Sequence, residues 1–249
     1  MKKKYNSINK ALLLSTTALL LGQNAYALEV HSPYVEKGIM EIESKNRFDL
    51  DSRQGESGFR QHQIELGYGI TSRWAIELAG EMEKEPQNGY KYTATEIENI
   101  FQLTEVGEYW ADLGLQASYE FAHPKGSSDK VEVFLLAAKN INKFTTMLNI
   151  GFEKEVGDNS NKNPEGEIKW MAKYNYLPKF SPGVEYYGEF GEIGDPETYS
   201  NQKHRLGPVI YGQLAPGFKY DVGTLFGISK STPDYTVKVN LEYEFPVNW

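Results

Sequence analysis

Residues 235–245 alternate without a break. Tyr235, Val237, Val239, Leu241, Tyr243 and Phe245 fall on one face of an extended chain, and Thr236, Lys238, Asn240, Glu242 and Glu244 fall on the other. A period of two marks a strand with one apolar and one polar face. Ten or so residues of it, rich in aromatics and followed by Trp249, are what the last strand of a transmembrane β-barrel looks like. Related segments recur along the chain at roughly 37–48, 59–70, 73–83, 92–103, 110–122, 130–140, 144–156, 167–177, 183–191, 204–214 and 218–228. With the last one they make about twelve, each near the length of a tilted membrane strand.

The first five show the pattern well. Met40 and Ile42 oppose Glu41 and Glu43; Ile64, Leu66 and Tyr68 oppose Gln63 and Glu65; Trp74, Ile76, Leu78 and Met82 oppose Glu77 and Glu81. Ile97, Phe101 and Leu103 oppose Glu96 and Glu98, and Leu113, Leu115, Tyr119 and Phe121 oppose Asp112, Gln116 and Glu120. The sixth segment, 131–138, is apolar on both faces, and the tenth and eleventh alternate poorly around Gly207, Pro208 and Gly223. Pro208 removes a ladder donor and predicts a bulge or a strand end.

What precedes the strands reads as an export leader. Lys2, Lys3 and Lys4 lead into the apolar stretch 11–21 and the small-residue site Ala25-Tyr26-Ala27, so a cut is expected before Leu28. The domain reading is a signal peptide at 1–27 and one barrel at 28–249. Residues 28–36 form a short periplasmic tail or a plug inside the barrel. The leader carries Lys2, Lys3, Lys4 and Lys10 and no acid, so its removal takes the net charge from −8 to −12. A chain that acidic is a poor partner for nucleic acid. The mean hydropathy of −0.54 fits a barrel, because half of each strand faces a polar lumen. No Cys is present, so neither a disulfide framework nor a lipoprotein anchor is available.

The connections alternate in length. Long ones fall at 49–58, 84–91, 123–129, 157–166, 192–203 and 229–234, and short ones at 71–72, 104–109, 141–143, 178–182 and 215–217. Bacterial barrels put long loops outside, so both termini are expected in the periplasm. The aromatic residues Trp74, Trp110, Trp170, Tyr243, Phe245 and Trp249 lie near strand ends, where an interfacial girdle belongs. The rival architecture is a soluble β-sandwich, but its strands would be shorter and would not need such aromatics.

The run His31-Ser32-Pro33-Tyr34-Val35-Glu36-Lys37-Gly38, the stretch Glu65-Leu66-Gly67-Tyr68-Gly69-Ile70-Thr71 and the pair Gly207-Pro208 resemble uncharacterised proteobacterial outer-membrane barrels. Those lie near the group named for a meta pathway of phenol degradation. The resemblance implies a barrel and the passage of small, aromatic molecules, and it brings no catalytic residue.

The expected inward faces are acidic. Glu41, Glu43, Glu65, Glu77, Glu81, Glu96, Glu98, Asp112, Glu120, Glu153, Glu155, Glu167, Glu185, Glu189, Glu242 and Glu244 share them with Lys45, Arg47, Lys169, Lys173 and Lys238. An acid-lined lumen draws in cations and repels anions. The leading reading is therefore a narrow outer-membrane channel for small cationic or neutral solutes. Its other partners would be membrane lipid and lipopolysaccharide around the barrel, and the assembly machinery that reads the closing strand. The second reading is a closed barrel whose interior is filled by a charge network and which acts through its loops.

Enzymatic readings find less support. A barrel-embedded lipid hydrolase needs a Ser/His pair with an orienting third group. The histidines are His31, His62, His123 and His204, and no Gly-x-Ser-x-Gly motif accompanies them. Paired Glu residues for glycoside chemistry could be chosen almost anywhere on these faces. Asp158-Asn159-Ser160-Asn161-Lys162-Asn163 mimics a calcium loop, but Lys162 stands where a ligand belongs and no closing Glu follows at the proper spacing. No cofactor and no resident metal is implied.

Overall fold

The computed structural model describes residues 28–53, 55–123, 127–158, 160–161 and 163–247; the leader, Pro124, Lys162 and Trp249 lie outside them. Twelve antiparallel strands follow one another: β1 (Ile39–Leu50), β2 (Arg60–Thr71), β3 (Trp74–Lys84), β4 (Lys91–Gln102), β5 (Asp112–Ala122) and β6 (Asp129–Ile141). The second half is β7 (Phe144–Val156), β8 (Glu165–Tyr174), β9 (Ser181–Glu192), β10 (Lys203–Ala215), β11 (Phe218–Gly227) and β12 (Tyr235–Pro246). Each strand pairs with its chain neighbours, and β1 also pairs with β12 from Ile39↔Pro246 to Leu50↔Tyr235. The sheet therefore closes and has no free edge. Every segment expected from the alternation is a strand, shifted at its ends by at most three residues.

The polarity of this barrel is inverted relative to a soluble protein. Ile42, Ile64, Leu66, Ile97, Leu135, Ile150 and Leu241 are exposed on the outer wall, and Leu78 is 52% exposed. The buried residues are mostly charged or amide side chains pointing inward. That arrangement suits a wall facing hydrocarbon outside and polar groups inside, and it removes the sandwich.

One barrel end carries the connections 51–59, 85–90, 123–128, 157–164, 193–202 and 228–234; the other carries 72–73, 103–111, 142–143, 175–180 and 216–217. The expected alternation of long and short fails at 103–111, which is longer than 85–90 or 123–128. That connection is a folded turn, in which the amide of Gly107 donates to Asp112 Oδ1 at 2.6 Å and the amide of Leu113 donates to Thr104 Oγ1 at 2.9 Å. At the long-loop end, Arg53 donates to the Lys230 carbonyl at 3.0 Å and pairs with Asp51, whose carboxyl its hydrogen bonds hold below the usual range.

Pro208 does not end or bulge its strand, contrary to expectation. β10 runs from Lys203 to Ala215, in unbroken register with β9 through Pro208↔Val184, and its only register shift against β11 lies between Gln213 and Ala215. Pro208 points its ring outward, so the strand passes it at the loss of one ladder donor.

Residues 28–35 lie inside the barrel, as the plug alternative has it and not as a free periplasmic tail. Leu28 packs in a buried cluster with Tyr187, Val209 and Leu225, and Val35 packs against Ala75, Ile100, Phe134 and Leu136. Phe134, Leu136, Val209 and Leu225 come from β6, β10 and β11, the strands whose alternation is poor, and Ala75, Ile100 and Tyr187 come from β3, β4 and β9. The second apolar face of β6 is thus a docking surface for the tail. Burying a side chain such as Leu28 is worth about 1.5–3 kcal/mol. Two glycines leave room for the tail: a Cβ at Gly69 would stand 2.0 Å from the Glu36 carbonyl oxygen, and one at Gly114 would stand 2.8 Å from Pro33 Cβ.

Candidate functional site: the barrel lumen

The tail is fastened by inward side chains from strands all around the wall. Asn149 on β7 takes both backbone groups of His31, accepting from its amide at 2.8 Å and donating to its carbonyl at 3.0 Å. Tyr34 Oη donates to Asp112 at 2.7 Å, the Val35 amide donates to Gln102 at 3.0 Å, and Asn240 donates to the Leu28 carbonyl at 3.3 Å. A backbone buried without a ladder needs such partners. Lys45 adds an ion pair to Glu29 of the tail and reaches Glu65 at 2.9 Å and Glu43 at 3.3 Å.

Beyond the tail the wall charges form separate networks. On the β9–β12 side, Lys238 Nζ lies 2.8 Å from Glu185 and 2.8 Å from Asp221, and the hydroxyls of Tyr187 and Tyr211 donate to Glu185 at 2.9 and 2.7 Å. Near the long loops, Arg47 pairs with Asp49 at 2.5 Å, Thr236 donates to Asp49 at 2.7 Å, and Arg205 donates to Glu189 at 3.1 Å. Phe59 fills the space beneath the Arg47 guanidinium, 5.3 Å from ring to charge. Opposite, Lys130 faces Glu153 and Glu120 at 3.5 and 3.8 Å, and Lys169 sits 4.4 Å above the Phe134 ring.

The pairing register aligns many of the acids. Glu244, Glu41, Gly67, Glu77, Glu98, Ser118, Glu132, Glu153 and Glu165 are successive cross-strand partners from β12 around to β8. Because barrel strands tilt, a line of cross-strand partners climbs as it goes round. This one runs from the short-turn end at Glu244 to the long-loop end at Glu165. Alternation in one strand says nothing of this line, which depends on the relative register of nine strands.

Of the acids and bases expected inside, Glu43, Glu65, Glu77, Glu98, Asp112, Glu120, Lys169, Glu185 and Lys238 are buried within the barrel. Glu41, Glu81, Glu96, Lys173, Glu189 and Glu242 are half-buried. Two cavities flank the tail. One of about 300 Å³ lies against β1–β3 and is lined by Glu41, Glu43, Glu65, Glu77, Glu242 and Glu244. The other, about 600 Å³, lies against β7–β12 and mixes Met147, Met171, Tyr176, Tyr211 and Tyr220 with Lys173, Lys219 and Asp221.

Among the expected girdle residues, Trp74, Trp110, Tyr243 and Phe245 lie at the short-turn end, where Trp110 is 81% exposed and Tyr243 and Phe245 stack 5.6 Å apart. Trp170 lies within β8 and donates to Thr146 Oγ1 at 3.0 Å. The aromatics at the other rim, Tyr92, Tyr119, Phe121, Phe226 and Tyr235, are absent from the sequence-based set, although their outward positions near strand ends were legible.

The hydrolase geometry is missing among the described residues. His204 bonds Tyr186 Oη through Nδ1 and Gln202 Oε1 through Nε2, both at 2.8 Å; His62 bonds Asn46, and His123 bonds Thr95. No serine hydroxyl meets an imidazole. In the loop at 157–164, Asn161 and Asn163 donate their side-chain amides to Glu192, and Asn161 Oδ1 accepts from the Asn163 amide.

The family model described as "Putative MetA-pathway of phenol degradation" matches residues 133–245. No curated protein sequence matches. Among solved structures, the COG4313 outer membrane channel from Pseudomonas putida F1 is 12% identical, with 87% of this chain and 100% of that one aligned at a TM-score of 0.61. The KdgM porin in complex with disordered oligogalacturonate is 10% identical over 82% of this chain and 99% of its own, with a TM-score of 0.58. The NanC porin gives 6%, 82%, 98% and 0.58 for the same quantities. At such identities the likeness is one of fold. The chain folds as a closed barrel of twelve antiparallel strands, as those structures do, and residues 133–245 carry its likeness to the family described for phenol degradation.

Proposed function

We propose that this protein is a narrow outer-membrane channel for small solutes, with its termini on the periplasmic side and its leader removed before Leu28. The observation that carries the reading is the lumen itself. Its wall is charged, and the tail divides it into two open cavities of about 300 and 600 Å³. A barrel built only for stability would gain more from an apolar filling than from buried ion pairs. The unequal count of acids and bases around the smaller cavity favours cationic or neutral solutes. The larger cavity, edged by Tyr176, Tyr211, Tyr220 and two methionines, has the size and the surfaces for a small aromatic molecule. The similar solved structures are porins and an outer membrane channel, which supports this reading.

The second reading, a closed barrel, draws on the long-loop half. There Arg47, Asp49, Phe59, Arg205 and Thr236 are all nearly inaccessible and occupy the cross-section. Planar-bilayer recording separates the two. The refolded protein beginning at Leu28 is expected to give steady, cation-selective conductance in a potassium chloride gradient, and deletion of 28–36 to raise that conductance several-fold. Neutralising Glu77, Glu96 and Glu120 together is expected to reduce the selectivity. Silence from both folded proteins, with and without the tail, would leave the closed barrel.

A further inference from the structure

The outer wall of β1–β3 departs from the apolar band at one place. Phe48, Arg60 and Lys84 are successive cross-strand partners at the long-loop end, and all three point outward. The Arg60 guanidinium lies 5.7 Å over the Phe48 ring. Among the described residues neither base forms an ion pair, and no outward position of β1, β2 or β3 holds an acid. Directly opposed side chains on neighbouring strands stand about 5 Å apart at Cβ, and like charges placed so repel. An anion bridging the two bases would turn that repulsion into attraction.

A second observation lies one step further into the wall. Ser44, Asn46 and His62 also point outward, at positions that a lipid-facing strand fills with apolar side chains. Asn46 Nδ2 donates to the Val239 carbonyl at 3.0 Å and to Ser44 Oγ at 3.1 Å. The Asn46 Oδ1 that meets His62 Nδ1 at 2.7 Å is therefore an acceptor, and Nδ1 carries the proton. That leaves Nε2 of the neutral ring as an acceptor with no partner among the described residues. His62 is two residues from Arg60, about 7 Å along the strand toward the middle of the wall.

We propose that this patch seats one molecule of lipid A, the phosphorylated glycolipid of the outer leaflet, with a phosphate between Arg60 and Lys84 and a chain hydroxyl or amide N–H donating to His62. The guanidinium fork matches phosphate oxygens, and the lysine adds a second charge. Exposed Leu50, Ile64 and Met82 give the chains an apolar shoulder. A glycerophospholipid would satisfy the bases, but its chain linkages are esters, which accept hydrogen bonds and cannot donate to the imidazole. A second copy of this chain fits poorly, because a two-fold axis along the membrane normal would bring the same bases together at one level. The choice of leaflet rests on the orientation proposed above; the basic pair and the outward imidazole do not.

The test is native mass spectrometry of the folded barrel, released from detergent in the presence of diphosphoryl lipid A. One lipid A per chain is expected. Binding should be at least tenfold weaker in the double variant Arg60→Gln/Lys84→Gln and for lipid A stripped of its phosphates, and unchanged in Lys139→Gln, an outward base at the other rim. Phosphatidylglycerol is expected to bind the parent several-fold more weakly than lipid A, and His62→Phe to erase that difference. Heat-dependent gel mobility reports the folding of each variant. Equal lipid A binding by parent and double variant would overturn the proposal, as would equal loss in Lys139→Gln, equal binding of phosphatidylglycerol by the parent, or a parent dimer that the double variant abolishes. The chain has no Cys, so maleimide labelling of Asp195→Cys on intact cells reads the orientation separately. Labelling is expected; labelling only after permeabilisation would overturn the orientation and the lipid A seat together, whatever the variants bind.

Discussion

The wall formed by β1–β4 and the wall formed by β6 and β9–β11 solve the same problem in opposite ways. On the first, acids are the commonest inward residues and alternation is strict, and the tail meets Lys45, Gln102, the apolar pair Ala75 and Ile100, and a cavity. On the second, inward positions include Phe134, Leu136, Val209 and Leu225, which accept Val35 and Leu28 of the tail. A lumen that receives a segment of its own chain therefore needs apolar seats on the inside, and those seats erase the two-residue period. The weak strands of the sequence are among the docking strands of the fold.

The largest effect that bears on this contrast comes from the closure both walls depend on. Truncation after Leu241 removes Tyr243, Glu244 and Phe245, the partners of Ile42, Glu41 and Met40. The open edges left in lipid are expected to abolish membrane assembly altogether, so a truncate that acquires normal heat-modifiable mobility would break the account of β12. Next is the charge core of the docking wall. Lys238→Met strands Glu185 and Asp221 in the interior, and a loss of about 3–5 kcal/mol in unfolding free energy is expected. Denaturant midpoints followed by tryptophan fluorescence would show it; an unchanged midpoint would mean that these carboxylates are satisfied without the lysine.

The smallest effects sharpen the contrast at the tail itself. Asn149→Ala removes both bonds to His31 and is expected to cost about 1–3 kcal/mol of tail docking, whereas Asn240→Ala removes a single 3.3 Å contact and about 0.5–1.5 kcal/mol. Limited proteolysis near residues 28–38 reads the difference. Equal cleavage of the two variants would show that apolar seating, and not the asparagine, holds the segment.

Most of the wall was legible because each strand in a barrel must keep its own alternation, which a single sequence displays. The acid count of the lumen followed from it, and so did the positions of Glu77, Glu98 and Lys238. Pro208 departs from the expected bulge because a proline whose ring faces outward within a ladder held by its neighbours costs the strand a single donor. The acidic line from Glu244 to Glu165 and the meeting of Glu41, Glu65 and Glu77 could not be read, because they are properties of register across strands. The seat of the tail had a signal that went unused. His31-Ser32-Pro33-Tyr34 and Gly67-Tyr68-Gly69 stood out together, and Gly69 is where the backbone at Glu36 passes closest to the wall.

The fastening of residues 28–35 by side chains has a consequence for how the molecule exchanges hydrogen with water. The amides of the wall sit in a closed ladder and open only when strands separate, whereas those of His31 and Val35 are guarded by one asparagine and one glutamine. Local opening free energies follow such differences. The inner segment is thus a cooperative unit of its own, able to exchange its amide protons on a timescale the barrel around it does not share.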